Sequence, residues 1–177
     1  MDWMASAGTL AGAVVGVGAA LTAERLRWRR DKEREAAQTR RAVYSEFLMA
    51  LSRGHTDMRS IVLRPDRPSG EALFGELHQA LDGAGIWRLR QSLSLTASAE
   101  IIQLAEAACD ALAVMRDGLI EEPHLRGASY PICRAELWRE NAHLREAMRR
   151  DLGMDGPADP EVGQYRLSDR SRSPRDD

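Results

Sequence analysis

Lysine is nearly missing from this chain: Lys32 is the single one among 25 basic residues. Arginine supplies the rest, as the coding bias of a GC-rich genome produces. Aromatic residues make up only 5%, so a core has to be built from Leu, Ala, Val, Ile and Met. There are two cysteines, Cys109 and Cys133, far apart and each within an apolar helical stretch. With no CxxC they fit neither a zinc ribbon nor a dithiol redox motif, and they read as buried thiols in a reduced compartment. A surplus of either charge is also lacking, since the formal net charge is −2. That balance excludes the strongly basic profile of a dedicated nucleic-acid binder, and no nucleic-acid partner is expected.

Motifs of catalysis are missing as well. His55, His78, His124 and His143 form no HExxH or HxH pair, and none neighbours a cysteine in sequence. Ser92, Ser94 and Ser98 stand in no GxSxG context. Gly16-Val17-Gly18 suggests a dinucleotide loop, but no strand precedes it and Leu21 stands where the third glycine belongs. No cofactor is expected, and the chain reads as non-enzymatic.

What is present begins with an uncharged run from Trp3 to Ala23. As a helix its 21 residues span about 31 Å, the hydrocarbon thickness of a bilayer. A secretory leader starts with cationic residues, whereas only Met1 and Asp2 precede this run, although Gly18-Ala19-Ala20 resembles a cleavage site. After the run come Arg25, Arg27, Trp28, Arg29, Arg30, Lys32 and Arg34. The positive-inside rule therefore predicts a single-pass protein of the cell membrane, N-terminus outside and the remainder in the cytoplasm. Arg25, Arg27, Trp28, Arg29 and Arg30 are the candidate contacts to the lipid surface. Gly8, Gly12, Gly16 and Ala20 recur every four residues, which puts them on one helix face and predicts a homodimer through the membrane helix.

Beyond the span, residues 24–42 read as a cationic helical stalk, because no Pro or Gly interrupts residues 19–53 and the segment is polar all round. A helical bundle is expected over 43–152. Its first stripe is Tyr44, Leu48, Leu51, His55, Met58 and Val62, broadened by Phe47 and Ile61 and stopped at Arg64-Pro65. His55 on that stripe reads as a hydrogen-bonded core histidine. Ser69 is the expected cap of a second helix carrying Leu73, Leu77, Ala80 and Leu81. The run IWRLRQSLSL reads as that helix fraying into a loop. Ser98 caps a third helix with Ile101, Ala105, Ala108, Leu112, Met115 and Leu119. A fourth spans about Tyr130 to Leu152, with Cys133, Leu137, Leu144 and Met148 inward and Gly153 as its stop. Residues 153–177, with Pro157, Pro160 and Pro174 among acidic side chains, are expected to be a disordered tail. The fold class is thus all-α: a transmembrane helix continuing into a stalk, then an antiparallel bundle of about four helices.

The order of uncharged span, cationic stalk, Tyr44-x-x-Phe47-Leu48 and late Met148-Arg149-Arg150-Asp151-Leu152-Gly153 resembles a set of uncharacterised single-pass membrane proteins common in GC-rich bacteria. The resemblance implies the same architecture and no activity. Two functions stay open on these residues. One is a membrane-anchored interaction or scaffold protein that binds an unidentified protein partner. The other is a metal-binding bundle using Glu136, Glu140 and His143, half of a di-iron ExxH pattern.

Overall fold

Apolar residues at three- and four-residue spacing over most of the chain dictate helices, and among the described residues five form: α1 Trp3–Leu63, α2 Gly70–Ala84, α3 Ile86–Thr96, α4 Ala99–Glu121 and α5 Ser129–Asp151. The computed structural model describes the backbone of residues 3–154 and the side chains of residues 24, 25 and 27–154, and within these there is no strand. Among the described residues no helix is long and apolar enough to cross a membrane. The candidate span 3–23, with its Gly8, Gly12, Gly16 and Ala20, lies outside the described side chains, and the tail beyond Met154 outside the described residues altogether.

The chain divides into two units, Met1–Thr39 and Arg40–Asp177. In the first, the described side chains are almost all exposed. Lys32 holds its ammonium 4.0 Å over the ring of Trp28, and Arg34 pairs with Asp31 one turn away. Such contacts suit the polar stretch of α1 between residues 24 and 39, whose described side chains form no apolar stripe.

In the second unit the helix-spaced stripes close on one another. The α4 register is as expected, with Ile101, Ala105, Ala108, Leu112, Met115 and Leu119 all buried. On α1 the buried line is Tyr44, Phe47, Leu51, His55, Met58 and Val62, while Leu48 and Ile61 are only partly covered. Phe47 rather than Leu48 therefore occupies the middle of that face. On α5 the inward residues are Tyr130, Leu137, Asn141, Leu144 and Met148, and Cys133 is only half-buried.

One expectation fails outright. IWRLRQSLSL is not a fraying end but α3, a separate helix that buries Ile86 and Leu93 and half-buries Leu89. Gly85 makes the corner, at φ 75 and ψ 21, where its amide donates to the Asp82 carbonyl. A side chain at that left-handed position is disfavoured, so glycine ends one helix and opens the next. The hydroxyls of Ser92, Ser94 and Thr96 donate to carbonyls of Arg88, Gln91 and Ser92, so serine satisfies itself inside the helix. Of the two leucines set between these serines, Leu93 is buried and Leu95 exposed.

The ends of the longer helices follow their sequence signals. Ser98 Oγ accepts from the Ile101 amide at the start of α4. Ser69 sits at the N-cap of α2 without making a side-chain bond. At the end of α5 the Met154 amide donates to the Arg149 carbonyl and the Gly153 amide to the Arg150 carbonyl, with Gly153 at φ 64. That paired pattern is the Schellman closure for which glycine is preferred.

Gly54 shows how tightly α1 is packed. A Cβ there would lie 3.1 Å from Ile86 Cδ1, 3.2 Å from Leu81 Cδ2 and 3.5 Å from Leu112 Cδ2. Three other helices approach the α1 backbone at this one residue. Gly54→Val should therefore cost about 1–3 kcal/mol by overpacking. Gly54→Ala should stay near neutral, since the helix gain of roughly 0.5–1 kcal/mol offsets a smaller strain. Urea unfolding of the two variants decides this, and a Val variant as stable as wild type would refute the close approach.

Candidate functional site

The chemistry-bearing side chains of the second unit gather where α1 meets α5. His55, 4% exposed, projects from the buried face of α1 because it keeps the register of Leu51 and Met58. Its Nε2 shares a hydrogen bond of 3.0 Å with the hydroxyl of Tyr130, at the start of α5. The two rings stack with an interplanar angle of 8°, and Trp138 meets the His55 ring edge-on at 5.5 Å. Burial, with Arg59 and Arg134 nearby, brings the imidazole pKa from 6.5 down to about 4. The ring is therefore neutral at pH 7, and in either tautomer Nε2 can share this bond with the hydroxyl, as donor or as acceptor. Burial also pushes the Tyr130 phenol up, against the pull of the same two arginines.

At the other end of this seam the Tyr44 hydroxyl donates to Asp151 Oδ2 at 2.8 Å. Arg40 Nε lies 3.1 Å from the same oxygen, close enough for an ion pair, although its N–H is not aimed along a hydrogen bond. Burial, then the bond to Asp151 and its charge, drive the Tyr44 phenol well above its ordinary range. Asp151 thus anchors the end of α5 to α1. Between the two clusters Asn141 is buried, and its Oδ1 accepts no hydrogen bond from a described residue.

An open groove of about 570 Å³ lies between the end of α1 and α2, lined by Asp57, Ser60 and Arg64 on one side and Glu76 and Gln79 on the other. Its one cation, Arg64, is already paired with Glu76. That pairing leaves no free cation among the groove's described lining residues to fix an anion.

The residues singled out from sequence fare differently. Arg25, Arg27, Trp28, Arg29 and Arg30 are exposed on α1, Trp28 by 59% with Lys32 across its ring. Glu136 and Glu140 both turn to Arg139. Among the described residues no group of three or more His, Cys, Asp or Glu side chains is placed to hold a metal ion, so Glu136, Glu140 and His143 are not brought together as one. Burial raises the Cys109 thiol to about 11, which leaves it protonated and unreactive at neutral pH.

Sequence reasoning found His55 but not its partners. Tyr130 and Asn141 carry a usable signal, because with Leu137, Leu144 and Met148 they continue one helical stripe. Trp138 and Arg134 carry none, since their meeting with His55 depends on how α1 and α5 cross, whereas Arg59 stands one turn after His55 on α1 by spacing alone. No family model, no curated protein and no solved structure matches this chain.

Proposed function

We propose that this chain is a membrane-tethered helical module that works by binding another protein, with its N-terminus outside and the second unit in the cytoplasm. One observation carries the reading: 21 uncharged residues from Trp3 to Ala23 are followed directly by Arg25, Arg27, Arg29 and Arg30 within the same helix α1. A run of that length matches the bilayer core. A cationic flank on one side alone orients it. The exposed Trp28, with Lys32 above it, suits the headgroup level, where amphipathic rings and long cationic stems settle. A helix continuous from Trp3 to Leu63 joins tether and second unit without a Gly or Pro between residues 19 and 53.

Fractionation tests the tether. Full-length protein should stay in the membrane pellet through an alkaline carbonate wash, whereas a version starting at residue 36 should remain in the supernatant. Equal partitioning of the two would remove the basis of the reading.

A further inference from the structure

Two contacts frame the groove between the end of α1 and α2. Arg64 pairs with Glu76 at one end, and at the other the backbone of Gly54 meets the Leu81 side chain. The two helices therefore run antiparallel, and between these ties α1 presents Asp57, Ser60 and Ile61 to Gln79 and Ala80 of α2. Residues three and four apart share a helix face, which is why each set lines one wall. Asp57 is half-buried, and among the described residues its carboxylate has neither an ion pair nor a hydrogen bond. Arg53, one turn earlier on α1, does not line the groove. The Ser60 hydroxyl donates to the Thr56 carbonyl, so its oxygen is left as an acceptor. Gln79 is exposed, and its amide is free to turn its oxygen into the same space.

We propose that this groove takes an arginine side chain presented by a partner protein, with the guanidinium on Asp57. The chemistry of the walls decides the class of ligand. A carboxylate and two neutral acceptors, with no free cation beside them, repel an anion and match a group that only donates. Guanidinium carries five N–H donors and no acceptor, and its planar fork meets a carboxylate through two bonds at once, which an ammonium cannot do. Ile61 and Ala80, both half-buried, form an apolar floor that suits its methylene stem. Arg64 on Glu76 is the same pairing made within the groove by the chain's own side chain. At about 570 Å³ the space exceeds one side chain, so the neighbours of the arginine on an extended segment enter with it. This assignment rests on the reading of the chain as a protein-binding module and gives that partner a basic segment. It stands on the second unit alone, and the membrane tether does not enter.

The test uses the full-length chain in uncharged detergent and reads the backbone amide resonances of residues 57–61 and 76–80. Two probes are titrated at equal ionic strength. One is acetyl-Leu-Arg-Leu amide, and the other is the same peptide with citrulline, which keeps the shape of arginine without its charge. Saturable shifts centred on these two segments are expected with the arginine peptide, and about threefold weaker binding with citrulline, the worth of one partly exposed ion pair. Asp57→Asn should weaken the arginine peptide by a similar factor and abolish the preference over citrulline. Asp110→Asn, at an exposed carboxylate on α4, should change nothing. No shifts, equal affinity for the two peptides, or an Asp57→Asn protein that binds as wild type each overturn the proposal. Shifts that appear only in a chain ending at Met154 would give the groove to the chain's own arginines between Arg166 and Arg175, and overturn the partner assignment. Because the readout lies in the second unit, each of these results is separate from the fractionation that tests the tether.

Discussion

Leu112→Ala will lower the stability of the second unit by about 2–5 kcal/mol, the range for truncating a buried leucine. Leu112 is 1% exposed on α4, and its Cδ2 comes within 3.5 Å of where a side chain on Gly54 would begin. The wall on that side is therefore α1 backbone, which cannot collapse into the space a missing isobutyl group leaves. A rigid wall puts the loss toward the upper part of the range, because the cavity term grows with the volume left unfilled. Val114 on the same helix is 58% exposed and provides the control. Val114→Ala should change stability by no more than about 0.5 kcal/mol. Urea unfolding of a protein starting at residue 36 measures both, and a Leu112→Ala loss under about 0.5 kcal/mol would show that the α4 stripe is not core.

Acid will loosen the α1–α5 seam through His55. The folded protein holds this imidazole at about 4, below its ordinary 6.5, so the unfolded chain binds a proton more readily. Stability that is full above pH 6.5 then falls as pH drops through the window from 6.5 to about 4. A shift of this size corresponds to on the order of 2–3 kcal/mol across the window. His55→Gln keeps a polar side chain at the position but removes the titration. It should be less stable than wild type at pH 7, where Tyr130 loses its stacked partner, and the difference should shrink or reverse by pH 4. Carboxylates titrate in the same region, which is why the difference between the two proteins is the quantity to follow. Parallel stability–pH curves would show that His55 is not the group responsible.

Periodicity made the helices legible where one face is uniformly apolar. The 4, 3, 4, 3, 4 spacing of α4 from Ile101 to Leu119 is reproduced in full by burial, because these residues share the one helix face that is buried. On α1 the same rule leaves Leu48 and Phe47 as equal choices, and only the crossing of the other helices selects Phe47. α3 escaped because serine and leucine alternate along it, while the bonds that keep Ser92 and Ser94 content in a helix are invisible in composition. Cys133 escaped for a related reason: Tyr130 takes the inward position at the start of α5 and leaves the cysteine near the rim. The candidate site was half legible. His55 could be placed on a buried stripe, but its contact to Tyr130 joins residues 75 apart and is set by the register between two helices. Hydrophobic spacing describes each helix by itself, and carries no information on that register.

The proposed tether at residues 3–23 would leave everything after it in the cytoplasm. Placing a reporter after Asp177 tests it most directly, using two fusions in parallel. One reporter is active only outside the cytoplasm and the other fluoresces only inside it. A silent first fusion and a bright second one, both in the membrane fraction, are expected. An active first fusion would contradict the orientation drawn from Arg25, Arg27, Arg29 and Arg30, and a bright second fusion found wholly in the soluble fraction would contradict the tether itself.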